Sequence, residues 1–223
     1  MAIKPILFNT EMVRAILDGR KTCTRRICKD ANEYTVPNMD FYNADRRTYA
    51  VHNYANKEHT EQLSIAERTC SICPGDILYV RETWERFECW NCEGDERGNC
   101  PKEPKKSVLD KTCGCYMYRA TDEISGDAKW HPSIHMPKEA ARIWLKVTDV
   151  RVERLQEITI DGIRNEGLSS VAVHAGDMEI AMEEWKNLWN STIKKADLDC
   201  YGWDVNPWAW VIEFERCEKP EGV

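Results

Sequence analysis

The chain has 223 residues, 42% hydrophobic and 31% charged, with a formal net charge of −7. That mixture describes one ordinary domain with insertions, or two small ones, and excludes a disordered chain. The acidic balance excludes a protein that coats long duplex DNA by bulk charge, and no run of about 18 apolar residues exists to cross a membrane.

Ile3 to Phe8 is a short apolar strand. Asn9 or Thr10 caps the helix that follows, Glu11 lies in its first turn, and Met12, Val13, Ile16 and Leu17 form its buried face. Gly19 stops the helix, and the chain becomes a strand through Ile27. Residues 30–69 are polar and weakly periodic, and read as an insertion with a hairpin around Arg47 to Tyr54. Pro74-Gly75-Asp76 is a turn into a strand over Ile77–Trp84, which puts Leu78, Val80, Glu82 and Trp84 on one face. A carboxylate among such neighbours must be paired, protonated or working, unless the faces are reversed and it is solvated.

Residues 85–115 form a second insertion, and Tyr116 to Ala120 resumes a strand. A Pro-bounded loop over Trp130–Pro137 leads into a long strand over Ala140–Val152. Thr159 caps a short helix ended by Gly167. After a loose Ser/Gly linker, Ala181, Trp185, Leu188, Trp189 and Thr192 recur at helical spacing, giving a helical segment over 159–195. Trp208 to Glu215 closes the domain as a strand. Non-contiguous strands, few helices and polar insertions predict an α+β fold, a small mixed β-barrel in one domain over 1–223.

Between residues 14 and 29, Arg14, Arg20, Lys21, Arg25, Arg26 and Lys29 face Asp18 alone, a local +5 within an acidic chain. Such a patch is the footprint of an anionic partner, a nucleotide or a nucleic-acid backbone first; the alternative is a solvated basic turn. Eleven cysteines, an odd count, without a secretory signal, point to a cytoplasmic protein with reduced thiols and metal ligation. Cys89, Cys92, Cys100, Cys113 and Cys115 crowd a segment with almost no core of its own. Structural zinc on four of the five would staple it, and the irregular spacing does not say which four. Cys70-x2-Cys73 is a second pair that would help complete such a site if the loops meet.

The stretch Ile16-Leu17-Asp18-Gly19-Arg20-Lys21-Thr22-x-Thr24-x-Arg26 resembles the signature of ASCH domains. Gly75-Asp76 leading to Val80-Arg81-Glu82-Thr83-Trp84 resembles their second characteristic stretch. Tyr118-Arg119-Ala120, Trp130-x-Pro132-Ser133-Ile134-His135-Met136-Pro137, Val147-Thr148-Asp149-Val150 and Asn206-Pro207-Trp208 extend the likeness to phage and prophage ASCH proteins. The resemblance implies a PUA-like β-barrel that binds RNA or a modified nucleoside or nucleotide in a basic cleft. At Lys21, Thr24, Arg26 and Glu82 the chain is similar to the amidohydrolases of N4-acetylcytidine, though it is longer and carries the cysteine loop.

That likeness assigns roles. Thr24 would be the nucleophile, Lys21 its base if burial and neighbouring cations lower its pKa, and Glu82 would hold Lys21 or pass a proton to the leaving amine. Arg26, with Arg25, would bind an oxyanion or a phosphate, and Tyr118 and His135 are candidate pocket residues. In a regular strand, residues three apart face opposite ways, so Lys21 and Thr24 converge only if the backbone turns between them. Two competing readings are a non-catalytic RNA-binding module and a phage protein-interaction factor working through its insertions.

Overall fold

In the computed structural model, residues 1–31, 34–88, 105–106, 113–123 and 129–222 are described, with backbone alone at 87–88, 105–106 and 113–115. The chain opens on β1 (Ile3–Leu7) and α1 (Thr10–Leu17). The Asn9 side chain accepts the Met12 N–H at 2.9 Å and so satisfies an orphan donor of the first turn. Gly19 takes a φ of +75°, left-handed backbone that only glycine adopts freely, and turns the chain into β2 (Cys23–Ile27).

Residues 30–69 hold more order than the single expected hairpin. β3 (Thr35–Asn43), β4 (Thr48–Tyr54) and β5 (Gln62–Thr69) form an antiparallel meander in that order. The strand expected over Ile77–Trp84 is broken. β6 (Ile77–Arg81) ends before Glu82, and β7 (Trp84–Glu88) joins β8 (Lys105–Lys106) and β9 (Cys113–Tyr118) in a second small sheet of order β7-β9-β8. Trp84 therefore leaves the face that holds Leu78, Val80 and Glu82, and packs beside Tyr116 and His131.

Short 3-10 turns at Ser133–His135 and Lys138–Ala140 lead to β10 (Trp144–Arg154). The helical segment then runs through α2 (Ile160–Asn165), α3 (Val171–Ala175), α4 (Met178–Thr192) and α5 (Leu198–Tyr201) to β11 (Trp208–Cys217). The supposed Ser/Gly linker contains α3, whose Val173 N–H is taken by the Ser170 hydroxyl at 3.2 Å. None of the helices among the described residues is long and apolar enough to cross a membrane.

The main sheet has the order β1-β6-β10-β11-β2, with β1 and β6 parallel and the other pairs antiparallel. The expected closed barrel is not formed among the described residues, because β1 and β2, its two edges, share no backbone ladder. Laid flat, five strands would hold those edges about 19 Å apart. Instead a side chain spans them: Arg26 Nη2 on β2 donates to the Leu7 carbonyl on β1 at 2.9 Å. The sheet is rolled, and clasped by a guanidinium.

Its concave face and α1 enclose the main core of Ile6, Phe8, Val13, Ile16, Leu78, Val80, Leu145, Val147 and Phe214. A register shift between Val147 and Asp149 inserts one residue, so that Val147 and Val150, three apart, both face this core. Alternation sends Ala209 to the opposite face, where Leu155, Ile163, Trp185 and Trp189 pack the helical layer onto the sheet.

Asp76 ties three distant pieces together. Its fully buried carboxylate accepts the Ala2 and Cys73 N–H groups and a two-pronged contact from Arg47 Nη1 and Nη2 at 2.7 and 2.6 Å. Burial pushes its pKa up, but the Arg47 and backbone hydrogen bonds outweigh that and hold it at about 2. Cys70 and Cys73, weighed above as metal ligands, are instead bonded to each other as a disulfide beside this knot.

Candidate functional site

The basic stretch divides between two surroundings. Lys21 pairs with Glu166 in an isolated antiparallel bridge, and its Nζ donates to the Glu166 carbonyl at 2.9 Å and to Oε2 at 2.6 Å. The two side chains are 0% and 2% exposed, so this ion pair is wholly buried. Arg25 approaches the other Glu166 oxygen at 3.4 Å and Glu153 at 3.0 Å, and Arg151 extends the network to Asp149, Glu153 and Glu213. Burial, with the charge of Glu166, pushes the neighbouring Cys23 thiol up to about 12, so it stays neutral. Gly167 is needed beside this network: a Cβ there would lie 2.7 Å from the Ala15 Cβ and 3.1 Å from the Lys21 Cβ.

Thr24 and Arg26 share the other face of β2, paired across the ladder with Ile212 and Trp210. Thr24 is buried. The Lys21 amine nevertheless reaches the same ring as Arg26. Lys21 Nζ and Arg26 Cζ lie 5.6 and 5.3 Å from the centre of the Phe8 ring, within cation–π range. Burial draws the Arg26 guanidinium below its ordinary pKa, and the Glu166 charge partly offsets it. Only its Nη2 is bonded; Nε and Nη1 have no partner among the described residues.

Glu82 is 1% exposed and lies just past Arg81, whose carbonyl accepts the Phe8 N–H at 3.2 Å. Its partner is Arg142, and Lys21 has Glu166 instead. Arg142 Nε and Nη2 each donate to one Glu82 oxygen at 2.9 Å, and its guanidinium stacks 3.9 Å from the Tyr118 ring. Burial raises the Glu82 pKa, with Arg142 opposing. Tyr118 donates its hydroxyl proton to the Ala140 carbonyl at 2.6 Å, so it is a buttress of this pair. His135 lies exposed on its 3-10 turn, with no contact to either ion pair. Thus Lys21 and Arg26 meet at the Phe8 ring, Thr24 shares the Arg26 face of β2, Glu82 stands at the next strand end with its own cation, and Arg25 is buried in the Glu166 network.

Glu166 and Arg142 escape local sequence patterns. Their partners lie 145 and 60 residues away, and the nearest signal is Gly167, which follows Glu166 and ends α2. Cys89, Cys92 and Cys100 lie outside the described residues, as do the side chains of Cys113 and Cys115. Among the described residues no group of three or more His, Cys, Asp or Glu side chains is placed to hold a metal ion.

A cavity of about 240 Å³ opens along β2, lined by Arg26, Lys29, Asp30, Trp210, Ile212 and the Cys70–Ile72 loop. It offers two cations, one carboxylate and an aromatic face. Comparison of the chain with known protein families, with characterised proteins and with solved structures finds no match.

Proposed function

We propose that this chain is an ASCH-like domain of PUA-like architecture that binds RNA or a modified nucleoside in the Arg26 cavity. The observation that carries this reading is Arg26 itself. Half-buried, and bonded through one nitrogen only, it keeps donors for a carbonyl or phosphate oxygen at the wall of a cavity that also holds Trp210 and Lys29. Lys21 and Arg25 support it from beneath as counter-ions of Glu166. The rolled sheet, with α1 joining edges that Arg26 clasps, supports the PUA-like assignment.

The quenching of tryptophan fluorescence by cytidine, N4-acetylcytidine and a short oligonucleotide tests the reading. Binding should weaken with salt and fall at least tenfold in Arg26→Ala, with Arg26→Lys as the variant that retains a cation at the clasp. Binding equal in both variants, or absent from the wild type, overturns it.

One observation favours a second reading, hydrolysis of an N-acyl pyrimidine nucleoside: the buried Thr24 shares the Arg26 face of β2, and Arg26 and the Lys21 amine lie against one ring, that of Phe8. In that reaction the Thr24 oxygen would bond to the acyl carbon while Arg26 held the oxyanion; collapse would break the carbon–N4 bond, the proton lost by Thr24 passing to the departing cytidine amine, and water would then release the acid and restore the hydroxyl. Lys21 could accept the proton only if its contact with Glu166 opens. Chromatographic detection of free cytidine from N4-acetylcytidine, absent in Thr24→Val, is its test.

A further inference from the structure

A second cavity, of about 690 Å³, lies beyond the end of β2 and is lined by Lys29, Arg154, Tyr201, Trp208 and Asp199 among others. Lys29 also lines the Arg26 cavity, so the two spaces meet at one exposed cation. The Arg154 guanidinium stands 4.2 Å from the centre of the Trp208 ring, and the Trp208 indole nitrogen is buried without a hydrogen-bond partner among the described residues. From Trp208 a row of rings continues over the meander. His59 lies 6.4 Å from Trp208, Tyr54 4.8 Å from His59, His52 6.4 Å from Tyr54, and Phe41 5.8 Å from His52. His59 holds a φ of +54°, uncommon for a residue with a side chain, and Phe41 ends the row 63% exposed.

We propose that this row is a stacking track for a single-stranded nucleic acid that leaves the Arg26 cavity across Lys29. The inference rests on the nucleic-acid reading above and names the ligand as an unpaired oligonucleotide in place of a free nucleoside. Three features carry it. The Arg26 cavity falls below the roughly 300–1,000 Å³ of sites that enclose a drug-sized ligand, so it accommodates a base and leaves the rest of a longer ligand outside. The adjoining cavity offers two cations, Lys29 and Arg154, for phosphates beside the single carboxylate of Asp199. Rings repeated at 4.8–6.4 Å suit successive bases without selecting their identity, because every base presents a π face. A duplex hides those faces, so the track discriminates against paired strands.

Fluorescence anisotropy with end-labelled oligocytidines of one to eight nucleotides, and with a duplex of matched length, tests the proposal. Affinity should rise with length up to roughly five nucleotides, one per ring, and the duplex should bind far more weakly. Phe41→Ala and Tyr54→Ala should each weaken the longer strands by roughly 5- to 150-fold while leaving cytidine binding unchanged. Trp208→Phe, which keeps a ring in the fold, should preserve most of the affinity. The two cations predict that log affinity falls with log salt at a slope of about −1.4. Length-independent binding, with cytidine still bound, overturns the track and spares the Arg26 reading, and so does tight duplex binding. Length-dependent binding that survives Arg26→Ala but not Tyr54→Ala supports the track and overturns the Arg26 cavity as its anchor. No binding by any probe overturns both.

Discussion

Replacing Glu166 by Gln keeps its shape and removes its charge, which leaves Lys21 and Arg25 buried with Glu153 as the nearest remaining counter-ion. Breaking a buried pair from one side costs about 3–5 kcal/mol, because the orphaned charge stays desolvated. For a domain of this size, each kcal/mol lowers Tm by about 2–4 °C, so Glu166→Gln should melt roughly 6–20 °C below the wild type. Lys21→Met should cost less, since Glu166 keeps Arg25 at 3.4 Å. The double variant removes both charges of the 2.6 Å pair and should recover about 1–3 kcal/mol relative to the sum of the single variants. Urea unfolding followed by tryptophan fluorescence, with m-values checked for constancy, gives all three numbers. Single-variant costs under about 1 kcal/mol that add without coupling would mean the pair behaves as an exposed one, and would refute the reasoning.

Asp76 has a folded pKa of about 2 against an ordinary 3.8, so its stabilisation is complete above the unfolded value and is lost as pH falls through about 2. The difference amounts to about 2 kcal/mol; acid unfolding of Asp76→Asn should lack this dependence, and parallel profiles would count against the Arg47 contact. Glu82, raised by burial, has the opposite sign. Arg142→Met should therefore lose stability as pH rises from about 4.5 toward neutrality, whereas a flat stability profile would show that Glu82 is solvated. Gly167→Ala meets the Ala15 Cβ at 2.7 Å with φ at +96° and should cost at least about 2 kcal/mol. Gly19→Ala, with φ at +75° but open space around it, should cost about 1 kcal/mol, and equal melting points for the two would sink the steric argument.

The elements that were legible in the sequence are those whose apolar spacing is read by a single partner layer. Val13 and Ile16 on α1, Leu145 and Val147 on β10, and Trp185 and Trp189 on α4 each mark a face that the structure buries. β5 lacks such a face: most of its residues, Leu63 and Ile65 among them, are exposed, so alternation carried no signal. α3 was hidden because its capping serine belongs to a run that reads as linker. At the site, the Lys21 ammonium and the Glu82 carboxylate were expected to hold each other, yet each found its partner on a segment far along the chain. Charge pairing at separations of 145 and 60 residues leaves no periodic trace. Lys21 and Thr24 were expected to converge through a turn at Gly19; instead Lys21 joins Arg25 at Glu166, while Thr24 keeps the opposite face of β2 that alternation gives it.

The strand that carries Thr24 and Arg26 leaves the ribosome well before its ladder neighbour, β11, which is the last strand of the sheet. Until residue 208 and those after it emerge, β2 has no backbone partner in the sheet, however well the rest has condensed. A nascent chain therefore cannot seat Arg26 ahead of completing its sheet, and loss of β11 by proteolysis would strip away Trp210 and the seat of Arg26 together. The Arg26 cavity is in this way made conditional on the arrival of β11.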